Sequence, residues 1–111
     1  MSQWVTVARA AQFGPGERRL VELDDTQVVV CNLGGQYYAI EDVCTHDGGR
    51  LTGGTVEGDQ IVCPRHGARF CMRTGAALSA PAYEPTSTFP VRKQDGVIQV
   101  LDGRWDDSHN E

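Results

Sequence analysis

The chain has 111 residues, 40% of them hydrophobic, and a net charge of −5 at neutral pH. That length fits one domain with a modest core. The acidic balance argues against nucleic acid and against an anionic membrane surface as partners. No long apolar run and no basic, hydrophobic leader is present, so the expectation is a soluble, cytoplasmic protein without membrane attachment.

Short apolar runs separated by turn residues predict strands at 4–8, 19–23, 27–33, 37–41, 60–62, 68–72, 89–92 and 97–101. After the first, Ala8-Arg9-Ala10-Ala11-Gln12-Phe13 is long enough for one helical turn before Gly14-Pro15-Gly16. Turns are marked by Asp24-Asp25, Gly34-Gly35, Gly58-Asp59, Thr74-Gly75 and Asp95-Gly96. No amphipathic helical period appears, so the fold class is all-β, a small antiparallel sandwich or barrel. One domain is expected over residues 1–105, with 106–111 as a polar tail. Cys31 lies in the run Val28-Val29-Val30-Cys31-Asn32-Leu33 and reads as a small core residue. Cys71 follows Phe70 close to the second motif below; packing is favoured for it over a redox-sensing role.

Two short motifs carry the chemistry: Cys44-Thr45-His46 and Cys63-Pro64-Arg65-His66-Gly67, with 16 residues between His46 and Cys63. Cys44, His46, Cys63 and His66 together suit a [2Fe–2S] cluster with mixed ligation, two thiolates on one iron and two imidazoles on the other. A two-iron cluster is wider than a single ion, so two loops must grip it, each giving its Cys to the inner iron and its His to the outer one. Neutral imidazoles replace anionic thiolates, which raises the potential above that of an all-cysteine cluster. The outer imidazole N–H groups can be lost at alkaline pH, so the potential should fall as pH rises there. Zinc is the competing occupant. Its Cys and His sites pair like with like, C-x₂₋₄-C and H-x₃₋₅-H, whereas here each motif mixes the two types. Glycines follow both motifs, at Gly48-Gly49 and at Gly67, and allow backbone N–H groups to approach cluster sulfur.

Catalytic machinery is not evident. His109 is the one histidine left over, and it lies in the polar tail, so no 2-His-1-carboxylate set can be assembled. There is no G-x-G-x-x-G fingerprint for a nicotinamide or flavin. The expectation is an electron carrier and not an enzyme.

The paired motifs, their spacing and the run Cys63-Pro64-Arg65-His66-Gly67-Ala68-Arg69-Phe70 resemble the Rieske family. The nearest type is the small Rieske ferredoxin of bacterial aromatic-ring dioxygenase systems. The resemblance spans about residues 4–101, and Arg73-Thr74-Gly75 and Ala80-Pro81-Ala82-Tyr83-Glu84-Pro85 share it. It implies one [2Fe–2S] cluster on Cys44, His46, Cys63 and His66, within a cluster-binding subdomain at about 43–81 inserted between strands. It also implies that the proline segment covers the cluster. The implied donor is a flavoprotein reductase fed by NADH or NADPH, and the implied acceptor is a terminal oxygenase. Both would dock at the histidine tip. Arg50, Arg65, Arg69 and Arg73 gather positive charge near that tip, with Arg65 a candidate docking contact.

Two departures from the respiratory branch of the family matter. Its extra cysteine pair corresponds to Gly49 and Arg65, so no disulfide joins the loops, and its sulfur-bonding Ser and Tyr correspond to Ala68 and Phe70. Fewer hydrogen bonds to sulfur stabilise the reduced cluster less. The potential should therefore lie nearer about −150 mV than +300 mV in the Rieske range. A small Rieske subunit of a nitrite reductase, or a cluster-based redox sensor, is the alternative.

Overall fold

Strand β3 (Gln27–Leu33) is buried from Val28 through Asn32. A β-branched run with no exposed face must lie between two packed layers. The computed structural model of the chain, which describes residues 3–23, 26–43, 51, 53–64, 67–80, 82 and 84–102, places it there. β3 pairs with β2 (Arg18–Glu22) and β4 (Gln36–Glu41), and β4 with the short β8 (Thr88–Phe89), in an antiparallel sheet of order β2-β3-β4-β8. A second sheet is formed by β1 (Gln3–Arg9), β10 (Val97–Asp102) and β9 (Val91–Gln94), in the order β1-β10-β9. A third is formed by β5 (Thr55–Glu57), β6 (Gln60–Val62) and β7 (Arg69–Cys71).

Side chains alternate across a strand, so β3 serves two cores. Val28 and Val30 face one, with Phe13, Ala39, Phe89, Ile98 and Val100. This is the sandwich between the first two sheets. Val29 and Cys31 face the other, with Ile40, Leu51, Ile61, Cys63, Phe70 and Met72. This second core is roofed by the third sheet. The all-β antiparallel fold is the one expected. The helical turn expected near residue 10 is a 3-10 turn at Ala10–Gln12. Among the described residues no helix is long and apolar enough to cross a membrane.

Two elements differ from expectation. The run at 89–92 is split at Pro90 between β8 (Thr88–Phe89), which pairs with β4, and β9, which pairs with β10. Proline has no N–H for a ladder, and Pro90 is where the chain leaves one sheet for the other; its carbonyl still accepts the Leu101 N–H at 2.9 Å. Strand β5 was not expected, because Val56 is a lone apolar residue between Thr55 and Glu57 and gives too short a period to detect.

The turn after β7 locks against the segment leading to β8. Gly75 has φ +79°, its carbonyl accepts the Thr86 N–H at 2.8 Å, and a Cβ there would strike the Thr86 carbonyl. Gly58 also has positive φ, +62°, but open space around it. Gly75→Ala should therefore cost roughly 3 kcal/mol, combining left-handed strain with a backbone collision, against about 1 kcal/mol for Gly58→Ala. Urea denaturation of the two variants checks this; equal losses would mean that the Thr86 segment yields.

Candidate metal centre

Cys63 follows β6 directly. Val62 pairs with Arg69 across β6 and β7, so residues 63–68 form the connecting turn. Two backbone bonds close it: the Cys63 N–H donates to the Ala68 carbonyl at 2.7 Å, and the Gly67 N–H donates to the Cys63 carbonyl at 3.0 Å. The turn carries the Cys63 side chain into the second core, where it is 1% exposed and has no disulfide partner. Ala68 and Phe70 are fully buried in the same cluster and bring no hydroxyl to it. Arg65 and His66, in the same turn by sequence, lie outside the described residues.

The first motif leaves β4. Its ligand candidates Cys44 and His46 also lie outside the described residues, but both ends of the stretch are placed. On the leading side the buried Asp42 donates its N–H to the Gln27 carbonyl at 2.9 Å. On the returning side Leu51 is fully buried in the cluster that contains Cys63, and its N–H donates to Asp42 Oδ1 at 2.7 Å. The Gly54 N–H then bonds the Leu51 carbonyl at 2.9 Å. A Cβ on Gly54 would collide with the Val62 carbonyl, so only glycine lets this segment lie directly against the strand that delivers Cys63. The roots of the two motifs thus touch through backbone. Ala82, from the proline segment, is buried in the same cluster; Pro81 and Tyr83 are outside the described residues. Among the described residues no three His, Cys, Asp or Glu side chains converge on a metal position, because three of the four expected ligands are not among them.

The arginine group is less cationic than its sequence suggests. Arg69 Nη1 lies 2.8 Å from Glu57 Oε1 and donates to Gln60 Oε1 at 3.2 Å. Arg73 Nε lies 3.4 Å from Asp59, and its Nη1 donates to the Tyr38 hydroxyl at 3.0 Å. Exposed pairs of this kind contribute little stability, but they cancel two of the four charges locally. Arg50 and Arg65 are outside the described residues. From the sequence Asp42 is one more charge beside the first motif, and Gly53-Gly54 belongs to the glycine-rich flank that follows it. The signal for Asp42 was its type and place, a carboxylate at a strand end before a glycine-rich loop, where such groups bond nearby backbone N–H.

The other two described cysteines sit in different surroundings. Cys31 donates to Met72 Sδ at 3.8 Å within the core. Burial pushes its thiol up to about 11, with the Arg18 charge pulling weakly the other way. For half-buried Cys71, desolvation raises the pKa. Hydrogen bonds from the Thr74 side chain and from the Thr74 and Arg73 backbone outweigh that and the opposing Asp59 charge, so the thiol sits below its ordinary value of 9.0.

The family model described as the Rieske [2Fe–2S] domain matches residues 3–90. The chain belongs to the Rieske [2Fe–2S] family. This Rieske chain is 37% identical over 98 residues to the ferredoxin component of biphenyl 2,3-dioxygenase from Rhodococcus jostii, covering 87% of this chain and 92% of that one. A chain in the solved complex of reduced oxygenase and oxidised ferredoxin of carbazole 1,9a-dioxygenase aligns with a TM-score of 0.84 at 38% identity, over 87% of this chain and 91% of that one. A putative NADH-dependent nitrite reductase small subunit from Mycobacterium tuberculosis aligns with a TM-score of 0.80 at 27% identity, over 91% and 96%.

The thiolate is the nucleophile in alkylation, so in the iron-loaded Rieske chain iodoacetamide at about pH 8 should label Cys71 well before Cys31. Peptide mass spectrometry reads the order, and Cys71→Ser should remove the fast site. Equal labelling of Cys31 would contradict the packing described.

Proposed function

We propose that Cys44, His46, Cys63 and His66 hold one [2Fe–2S] cluster and that the chain is a Rieske-type ferredoxin. It passes single electrons from an NAD(P)H-dependent flavoprotein reductase to a terminal dioxygenase in the cytoplasm, and catalyses nothing itself. The observation that carries this reading is the Cys63 side chain, an unpaired thiol enclosed at the base of a hydrogen-bonded turn, with His66 three residues further along. A buried thiol with no partner fits a metal ligand, and the two-sulfur, two-nitrogen donor set fits mixed ligation. The ferredoxin component of biphenyl 2,3-dioxygenase, at 37% identity, supports an oxygenase as the acceptor.

The cluster, when bound, supplies storage for one electron. The protein's own contribution is positioning and dielectric. Leu51, Phe70, Met72 and Ala82 enclose Cys63 in apolar surroundings and keep water from that side. Ala68 and Phe70 offer sulfur no hydroxyl donor, which supports a potential low in the Rieske range. The ligand-bearing unit is assigned to about 43–81 within a single domain over 1–105, and partners dock at its histidine tip, with Arg65 in contact. The nitrite reductase likeness supports a second carrier role, a small Rieske subunit, at lower identity.

Protein-film voltammetry tests the ligand set. The parent midpoint should fall nearer about −150 mV than +300 mV, and His46→Cys should move it toward the all-cysteine value near −400 mV or prevent assembly. A clearly positive parent midpoint, or a His46→Cys protein with an unchanged one, contradicts the reading. Docking is tested by stopped-flow reduction with the flavoprotein reductase. Arg65→Glu should change the rate at least about threefold at low salt, with the effect fading as ionic strength rises. No change at low salt would remove Arg65 from the interface.

A further inference from the structure

We infer that Asp42 is a positioning residue for the metal centre: through the Leu51 N–H its carboxylate pins the neck of the first ligand loop and thereby sets that loop against the second. The inference rests on the ligand reading above. Aspartate is seldom buried unless its carboxylate is bonded, yet Asp42 is 7% exposed at the exit of β4. Its backbone is fixed to β3 through the Gln27 carbonyl. Its Oδ1 takes the N–H of a residue nine positions on, at 2.7 Å in a buried setting. At that length the bond lies at the short end of the N–H···O range.

The span is too long for a local turn motif, so the bond acts as a staple across the loop that bears Cys44 and His46. Closing a loop at its neck removes conformations that would carry the ligands away from one another. The staple also reaches further. Leu51 accepts from Gly54, and Gly54 abuts the Val62 carbonyl one residue before Cys63. A continuous path of backbone contacts therefore runs from the Asp42 carboxylate to the second ligand loop.

The experiment compares Asp42→Asn with Asp42→Ala in the iron-loaded full chain. Both remove the same charge, so what they share is electrostatic; only asparagine keeps an oxygen for the Leu51 N–H. Iron and sulfide content, loss of visible absorbance under a chelator, and the EPR linewidth of the reduced protein are read. Asn32→Ala is the control, because it removes a buried bond to the Phe13 carbonyl in the other core and the bond that Asn32 Oδ1 accepts from the Gly35 N–H. Asp42→Asn should lose its cluster within about twofold of the parent rate. Asp42→Ala should lose it at least about tenfold faster, with a broadened EPR line and strand-type circular dichroism retained. Asn32→Ala should lower the melting midpoint and leave the loss rate alone. Indistinguishable alanine and asparagine variants, or an alanine variant no faster than Asn32→Ala, overturn the inference while leaving the ligand reading intact. If Asp42→Ala does not fold, the asparagine variant decides: parent-like loss supports the staple, and tenfold faster loss overturns it. A parent chain that takes up no iron and sulfide overturns the ligand reading itself.

Discussion

The roots of both candidate ligand loops lead back to one constraint, that β3 is buried on both faces. Val28 and Val30 close the sandwich core, while Val29 and Cys31 floor the second core, into which Cys63 points. A strand enclosed on two sides cannot slip by one residue without exposing one apolar set and burying the other wrongly. β4 shares the duty, with Ala39 facing one core and Ile40 the other. The first candidate ligand loop leaves from the end of β4, so its origin inherits that fixed register.

Packing outweighs charge in holding the third sheet. Leu51, Ile61, Phe70 and Met72 are fully enclosed, and each such side chain contributes about 1.5–3 kcal/mol on burial. The Arg69–Glu57 and Arg73–Asp59 pairs are half exposed and contribute at most about 1 kcal/mol each. Their effect is on the surface field. They neutralise two of the arginines that the sequence gathers around the second motif.

The strand framework was largely legible, because β3, β4 and β10 have enough apolar residues between clear turn pairs to show their period. What was not legible depends on contacts between distant residues. Phe89 and Val91 read as one strand, since nothing local shows that Pro90 separates partners in two sheets. Val56 alone carries no period, so β5 emerges only through its pairing with Ile61. The candidate ligand types and their spacing stood out from the sequence, because donor chemistry is written in residue identity. Their support did not: the reach of Asp42 to Leu51, and the contact of Gly54 with the Val62 carbonyl, are relations between residues nine and eight positions apart. The ion pairs of Arg69 and Arg73 were hidden for the same reason.

Iron K-edge X-ray absorption of the purified, iron-loaded chain addresses the central claim most directly, because it reports ligand type and metal neighbours together. The account requires an iron–iron scatterer and a first shell of mixed sulfur and nitrogen. A first shell of sulfur alone, or a metal with no second metal beside it, would contradict the asymmetric binuclear centre on which the carrier role depends.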